Sequence, residues 1–177
     1  MRVLKSRAMI VRPYLGKAPL LGERVFVAEN AAIIGDVEIG DDCSIWYATT
    51  IRGDANFIRI GARTNVQDNC TIHATTATHP TVIGNDVTIG HGAIVHGCTV
   101  ERGALIGMGS RVLDGAVVGE SAMVGAGALV PPGMRVPPRT LVVGLPARVV
   151  RPLHDDELAR LEESWKHYVE TKENYLR

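Results

Sequence analysis

Three histidines in the middle of the chain have side chains that can bind a metal ion. His73 ends the stretch NVQDNCTIH (65–73), and His91 and His96 lie in VTIGHGAIVHGC (87–98). Three neutral imidazoles around a tetrahedral zinc ion leave a fourth position open, which is the arrangement of catalytic zinc sites. The spacing of five between His91 and His96 matches neither one face of a strand nor one face of a helix. Whether the three side chains meet therefore depends on the fold.

An aliphatic residue recurs every six positions over most of the chain. The first run extends from Val27 to Ile51, and later runs continue to Val130. The residue four places further on is mostly small or β-branched, and glycines are frequent near the corners of the repeat. Repeats of this length build a parallel β-helix with a triangular coil of about 18 residues. Hexapeptide repeats of this kind resemble those of left-handed β-helix proteins, which implies an all-β solenoid of that hand.

The repeat is interrupted at 51–60, 72–83 and 95–100, where we expect loops to emerge. After Val130 the chain becomes rich in proline and leaves the solenoid. From about residue 155 the apolar spacing becomes helical, behind three acidic residues that suit a helix N-terminus. The sequence thus predicts a β-helix domain over 1–153, with an N-terminal lead-in and an extended exit segment. It also predicts a C-terminal α-helix over 154–177 that packs on the β-helix with one apolar face, comprising Leu158, Leu161, Trp165, Tyr168 and Leu176.

Counting repeats around the coil brings the histidines into register. Arg52, His73 and His96 each directly follow an aliphatic residue that begins the same face, so they stack on three successive coils. Asp68 and His91 stack beside one another at a corner in the same way. Adjacent coils lie about 4.8 Å apart, so the rings of His73 and His96 can bind one ion. His91 lies up to roughly 16 Å along the chain from His96, and we expect a neighbouring chain in a cyclic trimer to supply it instead.

Several stretches of the chain closely resemble the gamma-class carbonic anhydrase family. They are IRGDANFIRIG (51–61), NVQDNCTIH (65–73), IGHGAIVHGC (89–98) and IGMGS (106–110), within a match over nearly the full length. The resemblance implies a homotrimer in which His73 and His96 of one subunit and His91 of the next bind zinc. It implies that zinc-bound hydroxide attacks CO₂ to give bicarbonate, since zinc lowers the pKa of its water to about 7 in carbonic anhydrases in general.

The resemblance also implies roles for residues around the metal. It implies that Arg52 and Asp68 pair across the subunit interface, and that Gln67 orients the zinc-bound water. Asp54 and Asn65 would support the site.

Two further residues are candidates for the site, each with an ordinary structural explanation as well. The resemblance implies that Tyr168 reaches the metal from the helix, whereas a core aromatic is the more usual explanation for such a residue. Family members use acidic groups to move the proton, whereas here the corresponding loop is ATTATHPTV (74–82) and Ala55 follows Asp54. His79 in this loop can take the role, because its ordinary pKa is near neutral pH. An exposed loop histidine without any role is the alternative.

Composition excludes several classes of function. Lys plus Arg and Asp plus Glu each number 19, so there is no broad basic field for nucleic acid or an anionic membrane. Nor is there a run of about 18 apolar residues, the length that spans a membrane. Three cysteines without a C-x-x-C spacing fit a reducing compartment, and we expect the cytoplasm. The basic segment 1–17 leaves an organellar transit peptide as the alternative.

Two other functions compete with CO₂ hydration. The exit segment VVGLPARVVRP (142–152) resembles the tail of CoA-dependent hexapeptide acyltransferases, which need one histidine base and no metal. A metal-stabilised structural subunit with little activity is the third hypothesis, because the acidic proton-transfer groups are missing. The metal itself is expected to be zinc, with iron or cobalt as alternatives, since three imidazoles suit all of them.

Overall fold

The computed structural model describes residues 9–177 and has the predicted architecture, a left-handed parallel β-helix followed by one α-helix. The aliphatic residue that begins each repeat points inward, and those of successive coils lie above one another. Ile51, Ile72, Val95 and Val112 form one such column, and all four are fully buried. The predicted fold class is therefore confirmed. The first eight residues, with half of the basic segment, lie outside the described residues.

Most strands are two or three residues long, because each face of the triangular coil is short. The elements are β1 (Ile10–Arg12), β2 (Leu20–Leu21), β3 (Phe26–Val27), β4 (Ala32–Ile39), β5 (Ser44–Ile45), β6 (Thr50–Ile60), β7 (Asn65–Val66), β8 (Thr71–His73), β9 (Thr81–Ile83), β10 (Thr88–Ile89), β11 (Ile94–His96), β12 (Thr99–Val100), β13 (Leu105–Ile106), β14 (Arg111–Val112), β15 (Val117–Val118), β16 (Met123–Val124), β17 (Leu129–Val130), β18 (Arg135–Val136), β19 (Thr140–Gly144), β20 (Ala147–Pro152) and α1 (Asp155–Leu176).

The strands form three faces, which we call faces A, B and C in chain order. Face A contains β8, β11, β14 and β17, and face B contains β9, β12, β15 and β18. Strands β4 and β6 bend around the corner between them, so these two faces share one sheet. Face C is a separate sheet that runs from β3 to β19, with β20 added antiparallel at its end.

The interval 51–60 does not form the loop expected there. It is taken up inside β6, where residues 54–57 bulge opposite the single residue Asp36 of β4. The backbones approach closely beside the bulge, and a side chain at Gly53 would collide with the carbonyl group of Asp36. The interval 72–83 does carry a loop, residues 74–80, which is closed by an antiparallel bridge between Thr75 and His79. The expectation of a loop at every interruption is thus wrong for 51–60, where the extra residues become a bulge, and for 95–100, where only Gly97 and Cys98 separate β11 from β12.

Helix α1 begins after His154 and is anchored there by Glu157. The Glu157 carboxylate accepts a 2.8 Å hydrogen bond from the His154 backbone N–H and pairs with both terminal nitrogens of the Arg151 guanidinium. The hydrogen bond from Arg151, followed by the one from His154, lowers the pKa of Glu157 to about 2. The first turn of the helix therefore depends on an ionised Glu157.

The helix lies on face C and contacts β3, β5, β7 and β10. Leu161 is buried there, and the ring of Tyr168 lies 5.6 Å from that of Trp46. Leu176 is 45% exposed, so its assignment to the apolar face is wrong. Lys172 is fully buried instead, with its ammonium 3.2 Å from the carboxylate of Asp42. The division of the chain into domains at 153 stays a prediction. Within residues 9–177, no helix has the length and apolar character needed to cross a bilayer.

Two cysteines fill turns of the β-helix, as expected from their place in the repeat. Cys43 and Cys70 are buried, and the Cys43 thiol donates to the carbonyl oxygen of Gly61. Burial raises the pKa of Cys43 to about 12 and that of Cys70 to about 11. Both thiols are therefore protonated at neutral pH and serve packing. The cytoplasmic location inferred from the cysteines stays a prediction.

Candidate functional site

His73 and His96 stack on face A with their rings facing one another. They are register partners in β8 and β11, and His73 Nδ1 lies 3.0 Å from His96 Nε2. Two nitrogens bound to one tetrahedral zinc at about 2.0–2.1 Å lie about 3.3 Å apart. The pair is thus spaced to share one ion.

The second nitrogen of each of these rings is held by a carboxylate. His73 Nε2 lies 3.0 Å from Asp54 Oδ1, and His96 Nδ1 lies 2.6 Å from Asp114 Oδ1. When each ring donates its N–H to its carboxylate, the lone pairs lie on the two nitrogens that face one another. Metal-binding histidines are ordinarily held in this way. In that tautomer both facing nitrogens can donate a lone pair to one ion, so the two rings fit a metal ion.

Both carboxylates are ionised at neutral pH. Burial raises the pKa of Asp54, but hydrogen bonds from Arg52 and His73 outweigh it, so the pKa lies below its ordinary value. Burial raises the pKa of Asp114 in the same way, and hydrogen bonds from Thr75 and His96 again bring it below the ordinary value. Each carboxylate is therefore a hydrogen-bond acceptor for its histidine.

His91 lies at the corner that follows face C, where it meets Asp68 as the register predicted. Its Nδ1 is 2.9 Å from Asp68 Oδ2, which leaves Nε2 for a ligand, and its side chain is 47% exposed. Asp68 Oδ1 also accepts a hydrogen bond from the Tyr47 backbone N–H. Within residues 9–177 of one chain, no three His, Cys, Asp or Glu side chains are grouped to hold a metal ion. His91 is thus not grouped with His73 and His96 in the described part of one chain, and a site shared with a second chain stays a prediction.

Gln67 and Asn65 belong to a buried hydrogen-bond network behind His91. Gln67 Oε1 accepts from the His91 backbone N–H at 3.1 Å, and Gln67 Nε2 donates to Asn65 Oδ1 at 3.2 Å. Asn65 Nδ2 donates to Thr88 Oγ1, which lies 3.1 Å from the hydroxyl of Ser164 in α1. In one chain the network fixes the backbone at His91 and links it to the helix. The predicted role of Gln67 in orienting water stays a prediction.

Arg52 and Tyr168 have partners within the chain. The Arg52 guanidinium pairs with Asp54, and 44% of its side chain is exposed. Its predicted pairing with Asp68 of another subunit stays a prediction. Tyr168 packs against Trp46, and burial followed by the charge of Asp68 raises its pKa. Packing is the role that these contacts show for Tyr168, and a role at the metal stays a prediction.

His79 lies in loop 74–80, close to the residues that hold His96. Its Nδ1 is 3.0 Å from Thr78 Oγ1, and it lines a cavity of about 120 Å³ together with Gly97 and Gly115. The charge of His79 is one of the weaker causes of the lowered pKa of Asp114. The contacts place His79 near the candidate site, and its role in proton transfer stays a prediction.

Asp114 is a site residue that was not predicted from the sequence. The signal was present, because Val112 is the register partner of Val95 and Asp114 follows it by two residues, one coil beyond His96. A search for carboxylates able to hold the second nitrogen of each histidine would have found it.

Comparisons with known proteins agree with the fold. Residues 80–114 match the family model described as "Bacterial transferase hexapeptide (six repeats)". The chain is 46% identical to a carbonic anhydrase of Geobacillus kaustophilus, over 94% of this chain and 91% of that protein. It is 45% identical to the mitochondrial gamma carbonic anhydrase 1 of Arabidopsis thaliana, over 44% of this chain and 30% of that one. A crystal structure of a Bacillus cereus protein named as an acetyltransferase superposes with a TM-score of 0.92 and 44% identity, covering 94% of this chain and 96% of that one.

Proposed function

Because the chain belongs to the gamma-class carbonic anhydrase family of lyases, we propose that it interconverts CO₂ and bicarbonate with a bound metal ion. The observation that carries the proposal is the pair of facing nitrogens on His73 and His96, with each ring braced by its own carboxylate. A divalent ion held by three imidazoles supplies Lewis acidity, which lowers the pKa of water to about 7 in carbonic anhydrases in general.

The ligands come from two chains in this proposal. His73 would bind through Nδ1 and His96 through Nε2, because Asp54 and Asp114 occupy their other nitrogens. His91 of a second copy would bind through Nε2, since its Nδ1 is taken by Asp68. A cyclic trimer repeats this arrangement at three equivalent interfaces. Zinc, iron and cobalt all accept three imidazoles, and we propose zinc as the resident ion.

The remaining candidates would act on the substrate side of the ligands. Gln67 is buried and held by Asn65, so its amide has a fixed position from which to orient water. Arg52 is partly exposed on the same face as His73, and we propose that it pairs with Asp68 of the neighbouring copy. Arg52 would thereby link the site to the assembly.

His79 is the proposed proton acceptor. Efficient proton transfer needs a group whose pKa is near the working pH, and loop 74–80 contains no carboxylate. His79 lies in this loop and near Asp114, which contacts the proposed ligand His96. Its place beside the site supports the role.

An acyltransferase is the second candidate, favoured by the similarity to the Bacillus cereus protein. A histidine that acts as the base of an acyltransferase would explain one histidine with a carboxylate partner. It does not account for two rings that face one another at 3.0 Å and are each held by a carboxylate, or for a third ring held by Asp68 at the corner. The metal-stabilised subunit with little activity has the same site and differs only in turnover.

Metal analysis and a CO₂ hydration assay test the proposal together. Protein purified without chelators or added metal should carry close to one divalent ion per chain and accelerate CO₂ hydration. His73→Ala should lose most of the metal and the activity, whereas His167→Ala, at an exposed helix position, should keep both. Full metal occupancy in His73→Ala would contradict the site. Full occupancy without hydration would favour the structural subunit, and metal-independent turnover of acetyl-CoA would favour the acyltransferase.

A further inference from the structure

We propose that Thr75 and Asp114 form a brace that positions His96 for the metal and ties loop 74–80 to the metal site. The proposal rests on the proposed metal site and adds two positioning residues to it. Neither residue belongs to the stretches that resemble the family around the three histidines.

Asp114 has a partner for each of its carboxylate oxygens. Oδ1 lies 2.6 Å from His96 Nδ1, and Oδ2 accepts a 2.6 Å hydrogen bond from the Thr75 hydroxyl. The two contacts fix the carboxylate from both sides, and 30% of the Asp114 side chain is exposed. A carboxylate held in this way fixes the orientation of the imidazole and leaves Nε2 as the ligating atom.

Thr75 also connects this carboxylate to the other half of the site. Its backbone carbonyl oxygen accepts a 3.2 Å hydrogen bond from Asn56 Nδ2, and Asn56 lies in the bulge 54–57 that carries Asp54. The brace therefore links the partner of His96 to the segment that holds the partner of His73. Thr75 thus contacts Asp114 directly and, through Asn56, contacts the bulge that carries Asp54.

The same residue closes the loop that carries His79. The Thr75 N–H donates to the His79 carbonyl oxygen at 2.9 Å, and the His79 N–H returns a weaker bond to the Thr75 carbonyl oxygen at 3.4 Å. A displacement of Thr75 thus moves both the loop and Asp114. We infer that an ordered loop and a correctly oriented His96 depend on one another.

Metal affinity separates this role from simple loop anchoring. Loss of a carboxylate behind a ligating histidine typically weakens metal binding about 10–100-fold. A purely structural contact changes the stability of the metal-free protein but leaves the affinity of the folded site and the visible spectrum of bound Co²⁺ unchanged. The spectrum reports ligand geometry directly, without any contribution from catalysis.

The test measures Zn²⁺ and Co²⁺ dissociation constants by competition with a chelator on the assembled protein. Asp114→Ala should bind both ions about 10–100-fold more weakly and shift the Co²⁺ spectrum. Thr75→Val keeps the size of the side chain but removes the hydroxyl, so it should weaken binding by a smaller factor. Thr75→Ser should restore the wild-type affinity, and Glu163→Gln, at an exposed helix position, should not alter it.

The outcomes distinguish this inference from the proposed function. A wild-type protein that binds tightly, with equal affinity and spectrum in Asp114→Ala, would overturn the brace and leave the metal site intact. A wild-type protein that binds no metal would overturn the proposed function itself. Should Asp114→Ala fail to fold, Thr75→Val decides the question, because unchanged affinity in that variant contradicts the link to the loop.

Discussion

Replacing Gly97 with alanine should weaken the metal site without touching a ligand. Gly97 has a φ of +57° and lies against Asp114, where a methyl group would overlap Oδ1. The added carbon would also lie 3.0 Å from Asp114 Cγ and from His79 Cβ. The substitution therefore pushes directly on the carboxylate that holds His96.

The size of the effect follows from these distances. Carbon atoms in ordinary contact are about 3.5–4.0 Å apart, so the carboxylate must move by roughly 0.5–1 Å. The 2.6 Å contact with His96 then lengthens to about 3.1–3.6 Å, and most of this range lies beyond the usual hydrogen-bond limit of about 3.2 Å. Loss of that bond should weaken metal binding about 10–100-fold.

A matched substitution separates this effect from backbone strain. An alanine in the left-handed region costs roughly 1–2 kcal/mol wherever it is placed. Gly127 has a φ of +68°, and a methyl group there would meet no atom within 4 Å. Gly127→Ala should thus lower the free energy of unfolding by a similar amount while keeping the wild-type dissociation constant for Zn²⁺. Equal Zn²⁺ affinity in Gly97→Ala and Gly127→Ala would refute the reasoning.

Two further predictions concern proton transfer and the helix. His79→Ala should slow CO₂ hydration in dilute buffer and be rescued by added imidazole with its metal content unchanged, and an unaltered rate would make His79 a bystander. Glu157 has its folded pKa lowered to about 2 from 4.5, so its contribution to the first turn of α1 is present above pH 4.5 and is lost as the pH falls towards 2. Amide chemical shifts in the first turn should report that loss, and Glu157→Gln should abolish this pH dependence; the same transition in the variant would contradict the assignment.

The fold and the stacking of two histidines were predictable because a β-helix repeats one rule on every coil. An aliphatic residue at each sixth position fixes which residues point inward, and the count of repeats then fixes which residues lie above one another. His73 and His96 are register partners for this reason, and Asp68 meets His91 for the same reason. In such a fold, the six-residue spacing along the chain also determines which residues of neighbouring coils lie above one another.

Other features of the structure depend on contacts that neither the six-residue spacing of the β-helix nor the helical spacing of apolar residues predicts. An interruption shows that residues have been added, but whether they form a loop or a bulge depends on backbone approach, as at Gly53. Asp114 lies on the coil next to that of His96, and its side chain extends between the two coils to contact the ring. Lys172 is buried where Asp42 faces it from a corner of the β-helix. The face of the helix was predicted from the spacing of apolar residues, which cannot indicate a buried lysine.

The shared site is tested most directly by mixing two inactive variants. His73→Ala and His91→Ala are unfolded and refolded together, with each variant refolded alone as a control. In a mixed trimer one interface joins the intact His73 and His96 of one chain to the intact His91 of another, so metal binding and CO₂ hydration should return to about one site in three. Sites built within single chains would each lack a ligand. Verified mixed trimers that recover neither metal nor activity would contradict the interfacial metal site.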